Sequence, residues 1–530
     1  MKKFLYVFSA VSLLLTSCID DASSTAFMEL PNVSIAMDDA VHFDLGVEGE
    51  YAPTIDWGGT SPSDYDYLWT INGKTEISRE QVLKHTFTES GEIYLTFQMT
   101  DKNTRLVFSQ NFKTTVTPTF FLGWVILSEN ADGSSALSFI HFTTRELYPD
   151  IYKTLYPDNP LGSAPYRLEF HSIPSADQIL VMQRGGDGLV ELDGENFRKV
   201  IRTEEEFIGE QYPEEEGGFD VIQAVYTHRG PDFLLTKNGH IYDRLSNYTG
   251  STAVFQAAHY STEPFTHREG EAKFTYLPFP ANSFQFMFDN LNKRWLGYYN
   301  TIPSNTPHAI PKFLKSAKWS SDLQFDYCEG MNRDVDLIFA STYNENSGKG
   351  SLLNIFKQSG VYYVAQADFS LSLSTYSVTV DNPQEYEFAP SEPLDDHSLF
   401  CLLRGTKTDY TADPHLFYNV GKKVFFFHAA TQRHYLFKDF SKGENAPSGD
   451  LVGMMQCGDA KQMGFAFSDG HFYICNTEKA LLTDIRNSNV DPETSDRIEL
   501  AHITDIPGTI KYAIFKYGKR DNFINGENKY

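Results

Sequence analysis

Ile179-Leu180-Val181-Met182-Gln183-Arg184-Gly185-Gly186-Asp187-Gly188-Leu189-Val190-Glu191-Leu192 is an apolar strand, a glycine turn and a second apolar strand. The flanking runs are too short for helices, and glycine supplies the positive φ that a tight turn needs. The same unit recurs at Gly133 (Ile126-Leu127 before, Leu137-Ser138-Phe139 after), Gly239 (Phe233-Leu234-Leu235, Ile241-Tyr242) and Asn292 (Phe286-Met287-Phe288, Trp295-Leu296). It recurs again at Gly360 (Leu353-Asn354-Ile355-Phe356, Val361-Tyr362-Tyr363), Gly421 (Leu416-Phe417-Tyr418, Val424-Phe425-Phe426), Gly470 (Phe465-Ala466-Phe467, Phe472-Tyr473) and Gly518 (after Ala513-Ile514-Phe515). The first three steps, Gly133 to Gly186 to Gly239 to Asn292, are each 53 residues, and the later ones are 68, 61, 49 and 48. A hairpin repeat of about fifty residues is the spacing of β-propeller blades, each a small sheet that cannot bury its faces alone. Eight hairpins with a truncated unit at each end predict seven blades, the first and last hairpins sharing one sheet and closing the ring. Rings of six or eight are the alternatives.

The rest of the composition agrees with an all-β chain. Among 530 residues, 41% are hydrophobic and 15% aromatic, with 42 Phe and 30 Tyr, and residues of that kind favour strands. The length suggests two or three domains. Helix is expected only in a short piece over 145–155, interrupted by Pro149, and in a turn at Glu204 to Phe207. With 44 Lys+Arg against 70 Asp+Glu the formal charge is −26, which repels nucleic acid phosphates and anionic lipid head groups. Neither is expected as a partner.

Outward from the repeat, the chain begins with Met1-Lys2-Lys3 and an apolar run from Phe4 to Leu15. That run is too short for a permanent membrane helix but suits a signal-peptide core. Leu15-Thr16-Ser17-Cys18 resembles the lipobox of bacterial lipoproteins, so residues 1–17 are expected to be removed and Cys18 to be lipidated. Several acyl chains on one terminus suffice for stable anchoring. Residues 18–26 form a polar tether whose Asp20-Asp21 resembles the surface-export signal of Bacteroidetes lipoproteins, implying an outer-membrane protein facing outward.

Residues 27–117 read as a β-sandwich of short strands. Val41 to Val47 alternates with period two, and Tyr65 to Ile71 runs into Asn72-Gly73, the strongest short hairpin signal. Glu92 to Asp101 alternates again, and Arg105 to Val116 supplies a last strand. Tyr67-Leu68-Trp69-Thr70-Ile71, with Gly91-Glu92-Ile93-Tyr94-Leu95 and Asp101, resembles the PKD version of the immunoglobulin-like fold. The resemblance implies that Trp69 and Tyr94 are core residues. A propeller over 120–530 follows, and Phe120 to Glu129 with Leu137-Ser138-Phe139-Ile140 resembles the PKD-like lipoprotein family of Bacteroidetes.

Catalytic motifs are scarce. The chain contains no His-Glu-x-x-His, no Gly-x-Ser-x-Gly and no Gly-x4-Gly-Lys-Ser/Thr. Serines in Gly133-Ser134-Ser135 and Gly250-Ser251-Thr252 read as turns. Gly185 to Gly194 has a single acidic glycine turn, in the wrong order for a calcium repeat, and is expected to be a plain hairpin. His415, His428 and His434 would hold a metal only by converging in space with open geometry, which spacing alone does not show, and they read as structural. Glu204-Glu205-Glu206 and Glu214-Glu215-Glu216 read as solvated loops rather than an acid/base pair. Cys328, Cys401, Cys457 and Cys475 form no CxxC pair, and Cys457 with Cys475 are either bridged or buried free thiols. Candidate ligand-stacking aromatics are Tyr343, Tyr376, Tyr386 and Tyr410, although packing against a neighbouring blade is the expected role of any one of them. No catalytic residue, metal or cofactor is assigned.

The PKD-like resemblance implies a non-enzymatic surface lipoprotein that captures oligopeptides or glycans. Its partners would be a TonB-dependent transporter and the transporter's lid lipoprotein, with the sandwich as spacer and the propeller loops as binding face. A surface hydrolase or lyase with a site on the propeller axis, or an adhesin, are the alternatives.

Overall fold

Seven of the eight expected hairpins form with their turns where the sequence puts them, and of the eighth unit the described residues hold only the strand before Gly518. The computed structural model describes residues 32–36, 41–45, 48–87, 90–172, 177–226, 231–245, 259–264, 271–278, 284–299, 312–313, 315–316, 335–346, 349–372, 377–404, 414–443 and 445–518. Cys18 and its tether, Tyr376, Tyr410, Cys328 and Ser251-Thr252 lie outside them. The chain divides into two units, Met1–Thr117 and Pro118–Tyr530.

In the first unit, Tyr65–Ile71, Gly91–Asp101 and Val107–Thr117 form the middle of a five-stranded sheet. Val41–Asp44 lies parallel on one edge and Thr75–Ser78 antiparallel on the other. Two short ribbons, Ser34–Ala36 with Thr54–Asp56 and Glu48–Tyr51 with Leu83–Thr86, supply the second layer. Asn72 and Gly73 both take positive φ, at 52° and 66°, as a two-residue hairpin turn requires. Trp69 is fully buried against Phe97 and Phe112, and its indole N–H donates to the Glu80 carbonyl at 3.0 Å. Tyr94 is not in the core but 56% exposed. Period-two alternation explains this, since Leu95, Phe97 and Met99 point inward from the same strand.

The second unit is a β-propeller. Sheet 1 holds Gly123–Glu129, Ser135–His141 and Leu147–Tyr148, with Thr509–Lys516 from the far end of the chain on its remaining edge. Sheet 2 holds Gly162–Ser172, Asp177–Gly186, Val190–Asp193 and Lys199–Arg202, and sheet 3 holds Val221–Tyr226, Pro231–Thr236 and Ile241–Leu245. Sheet 4 holds Phe274–Tyr276, Phe284–Asp289, Arg294–Tyr299 and Lys312–Phe313. Sheet 5 holds Val335–Asn346, Lys349–Gln358, Val361–Ser372 and Ser377–Glu387, with Lys315–Ser316 parallel on its edge. Sheet 6 holds Phe400–Leu402, His415–Val420, Lys423–His428 and Arg433–Asp439. Sheet 7 holds Leu451–Gln456, Gln462–Phe467, Phe472–Asn476 and Glu499–Ile503. These are the sheets of this unit among the described residues. In every one, the recurrent Gly or Asn turn joins the second strand from the axis to the third.

Consecutive apolar residues in those strands have a direct cause: both faces of each sheet are covered. Ile179 and Val181 point toward sheet 1, where they meet Val125, Leu127 and Phe139, while Leu180 and Met182 point toward sheet 3 and meet Ala224 and Leu234. The same division runs round the ring. Phe286 and Phe288 meet Phe356 and Ala365, Leu353 and Ile355 meet Leu416 and Tyr418, and Phe417 meets Phe465. The last interface returns to the start, with Ala466 and Ile474 of sheet 7 against Trp124, Ile126 and Ala513 of sheet 1. Burial of each large side chain contributes roughly 1.5–3 kcal/mol, so every interface depends on both its neighbours.

Ring closure is the first-last sharing that the repeat predicts. Thr509–Lys516 pairs antiparallel with Gly123–Glu129, Phe515 opposite Trp124 and Ala513 opposite Ile126. An ion pair reinforces it across to sheet 2: Lys516 Nζ lies 2.6 Å from Asp177 Oδ2, both side chains at most 1% exposed. Lys516 also donates to the Phe121 carbonyl at 2.9 Å.

Two expectations need correction. The segment 145–155 begins as strand, Leu147–Tyr148, and turns helical only at Ile151–Leu155, past Pro149. A helix the repeat did not signal, Lys479–Arg486, lays Leu481, Leu482 and Ile485 on the core between sheets 6 and 7.

Lys516→Ala leaves the Asp177 carboxylate buried without its partner and is expected to lower unfolding free energy by about 3–5 kcal/mol. Denaturant unfolding checks this. The Lys516→Ala/Asp177→Ala pair is expected to recover part of the loss.

Candidate functional site

The first strands of neighbouring sheets lie side by side, Thr509–Lys516 between Gly162–Ser172 and Leu451–Gln456, which puts their edges on the ring axis. Side chains clip the inner strands to one another from sheet 2 round to sheet 7. Tyr166 donates to the Val221 carbonyl at 2.6 Å, Gln223 Nε2 to the Leu277 carbonyl at 2.6 Å, and Tyr276 to the Ala340 carbonyl at 3.1 Å. Phe339 stacks on Phe400 at 5.8 Å, and the Arg404 amide donates to Gln456 Oε1 at 2.9 Å.

Arg167 is a charged side chain of this inner circle that its neighbours fix in place. A β-bulge between Pro165 and Arg167 shifts the register there, and bulges re-aim side chains. Proline is tolerated because the inner edge needs no ladder N–H. Arg167 Nε donates to Glu169 Oε1 at 2.5 Å, and the guanidinium lies over the Tyr512 ring with its carbon 5.1 Å from the centroid. The two side chains keep 26% and 20% of their surface open although strands enclose them. Burial pushes the Glu169 carboxyl up, and Arg167 opposes that shift. Arg167 interacts electrostatically with Tyr512 and with Tyr276 of sheet 4, and Tyr276 in turn with Arg404 beyond sheet 6. Interactions among sheets 1, 2, 4 and 6 are possible only across the axis. Burial raises Tyr276 to about 12 and the Cys401 thiol to about 11, so both stay protonated at neutral pH.

A second concentration of charge is sealed between sheets 2 and 3. Arg244 Nε donates to Asp232 Oδ2 at 2.8 Å, Nη1 donates to Glu206 Oε1, and Nη2 donates to Glu191 Oε1 at 3.4 Å. The guanidinium lies over Tyr260 at 4.6 Å, Tyr226 donates to Glu191 Oε1 at 3.2 Å, and His171 stacks on Tyr226 at 3.8 Å. All four ionic side chains are 5% exposed or less. Three carboxyls share one guanidinium, so burial raises the carboxyls: Glu191 and Asp232 both move up, and Glu206 reaches about 8. His171 is pushed down to about 3, chiefly by burial. Glu206 therefore corrects one expectation: its acidic run is not wholly solvated. Nor is the second run, because Glu215, 1% exposed, accepts from Thr236, Asn238, His240 and Tyr242.

A cavity of about 210 Å³ opens between sheets 6 and 7, lined by Lys438, Lys442, Asn445, Tyr473, Glu499 and His502 among others. Lys438 pairs with Glu499 at 2.8 Å, His502 stacks on Tyr473 at 3.9 Å, and His471 Nδ1 lies 3.0 Å from His502 Nε2. Burial and the neighbouring His471 lower the His502 value.

The remaining candidates are placed as follows. Tyr343 donates to Gln366 Oε1 at 3.0 Å, and Tyr386 bonds the same amide while packing on Phe427, so both fill space within sheet 5 and against sheet 6. His415 and His428 face each other at 5.1 Å, but His428 contacts Arg486 and Thr431, and His434 binds Tyr418 instead. Asp187 pairs with Lys199 at 2.6 Å and Glu191 turns toward Arg244, so the Gly185 to Gly194 turn gathers no oxygen shell. Among the described residues no group of His, Cys, Asp and Glu has the geometry to hold a metal. Cys457 and Cys475 are free thiols on opposite sides of sheet 7. Ser134 bonds Asp132 at 2.6 Å within its turn.

A family model described as the PKD-like family matches residues 18–162, from Cys18 through the sandwich into the first propeller strands. Among curated proteins, none matches the chain. Similar solved structures include a quinonprotein alcohol dehydrogenase-like protein from Bacteroides thetaiotaomicron, 10% identical at a TM-score of 0.35, covering 90% of this chain and 96% of that one. A dihydro-heme d1 dehydrogenase is 8% identical at 0.32, covering 85% of this chain and 75% of that one. The β-propeller domain of Cps50 (Swd1) from Myceliophteria thermophila is 9% identical at 0.37, covering 67% and 91%. The propeller assignment stands on the strand topology, not on these likenesses.

Glu206 sets a pH dependence. Folded, it keeps a proton up to about 8 that the unfolded chain releases near 4.5, so its contribution is full below that value and is lost as pH rises through about 8. His171 acts at the other end: the unfolded histidine takes a proton below 6.5 that the folded one refuses down to about 3, so stability falls over that range. Glu206→Gln, neutral at every pH, is expected to gain melting temperature relative to wild type as pH is raised from about 5 to about 8.5. A difference that stays constant with pH contradicts the protonated Glu206.

Proposed function

We propose that this chain is a lipid-anchored binding protein of the outer membrane that captures oligopeptides or glycans as a non-enzymatic accessory to a TonB-dependent transporter. The observation that carries the reading is the PKD-like match, which starts at Cys18, the residue that follows the lipobox-like Leu15-Thr16-Ser17. Support comes also from the propeller, which surrounds its axis with inner strands clipped to one another, a rigid mount for recognition. Around that axis the titratable groups favour holding over turnover: Glu169 is tied to Arg167, and Tyr276 and Cys401 keep their protons.

In cells, Cys18→Ala is expected to abolish incorporation of labelled palmitate and to release the protein from the membrane fraction. Affinity capture from outer membranes is expected to bring down a TonB-dependent barrel with the wild-type chain. Retention of label and membrane attachment by Cys18→Ala contradicts the anchor, and capture without any barrel contradicts the accessory role.

A further inference from the structure

We infer that Arg167 anchors a carboxylate-binding subsite on the propeller axis, taking the terminal carboxylate of an oligopeptide or the uronate carboxylate of a glycan. The inference rests on the capture reading above and names the chemistry the axis would recognise.

The geometry of one guanidinium carries it. Arg167 is held on two sides: Glu169 accepts from Nε at 2.5 Å, and the Tyr512 ring supports its plane at 5.1 Å. Those contacts fix position and orientation while using only one of five N–H donors. Among the described residues the two Nη nitrogens have no hydrogen-bond partner, and the side chain is 26% open. An oriented fork with two parallel donors matches a planar carboxylate, and such paired charge-assisted bonds are both strong and directional. Here the entropy of ordering the side chain is already spent by the fold. Glu169 tunes the choice of anion: a singly charged planar group meets one carboxylate that Arg167 already pairs, whereas a dianionic phosphate would set its extra charge against it. The setting matters too, because the remainder of a chain of net charge −26 repels anions from nearly everywhere else.

Binding is measured by calorimetry on the full lipoprotein in detergent, with four probes. These are tetra-alanine with a free C-terminus, its C-terminal amide, tetragalacturonate and the methyl ester of tetragalacturonate. One free acid is expected to bind about 10- to 100-fold more tightly than its neutral counterpart, and which acid does so identifies the source of the carboxylate. Arg167→Met is expected to bring the acid down to the affinity of the amide or ester. Arg167→Lys, which keeps charge but loses the fork, is expected to fall between, with circular dichroism unchanged in both. Equal binding of acid and neutral probe by the wild type overturns the subsite and leaves capture standing. Undiminished binding of the acid by a folded Arg167→Met does the same. If no probe binds, the subsite is overturned, and co-purification with a barrel still tests capture separately.

Discussion

Everything in the propeller depends on one strand pairing made by the two ends of the unit. Thr509–Lys516 lies against Gly123–Glu129, so the last residues of the ring complete the first sheet. Without that pairing, sheets 1 and 7 would each present an apolar face, Trp124, Ile126 and Ile140 on one side and Ala466 and Ile474 on the other, to water. An open ring would also leave the Gly123–Glu129 edge of sheet 1 unpaired, a liability that closed β-structures remove. The buried Lys516 and Asp177 pair adds a condition. It is satisfied only when the final strand is in register, so it penalises misplacement more than it adds net stability.

Closure has a consequence for chemistry at the axis. Inner strands that belong to distant parts of the sequence become neighbours, and groups from sheets 1, 2, 4 and 6 come within electrostatic reach of each other. Arg167 and Tyr512 are separated by hundreds of residues along the chain, yet one supports the other. A ring held by seven apolar interfaces, one between each pair of neighbouring sheets among the described residues, resists deformation, so an axial side chain keeps its direction. Arg244 is the contrasting case. Its three carboxyl partners are sealed between sheets 2 and 3, where they join two blades and carry excess protons instead of meeting solvent.

The repeat was legible because it is written in local chemistry. A glycine or asparagine at each middle turn and apolar runs on either side are properties of hairpins, and they survive whatever surrounds them. Trp69 and the Asn72-Gly73 turn were legible for the same reason. Tyr94 was not: the resemblance placed it in the core, but its strand alternates and Leu95 takes the inward position. The acidic runs misled because charge in a loop reads as solvated, whereas Glu206 and Glu215 each enter the interior to meet donors supplied from far along the chain. Arg167 carried no signal at all. Its role depends on a bulge, on a ring from the last strand and on where the axis falls, none of which a single sequence states. The helix at Lys479–Arg486 was legible in principle, since Leu481, Leu482 and Ile485 repeat at helical spacing, but the eight residues sit inside a hairpin pattern that drew attention away.

The account therefore turns on whether the two ends of the propeller unfold as one. Native-state hydrogen exchange reads this directly, amide by amide, as a function of denaturant. A closed ring predicts that the amides of Thr509–Lys516 and of Gly123–Glu129 exchange together, with the slope and free energy of global unfolding. Exchange of Thr509–Lys516 alone, at low denaturant and with a shallow slope, would mean that the strand frays freely and that the ring is not locked by it.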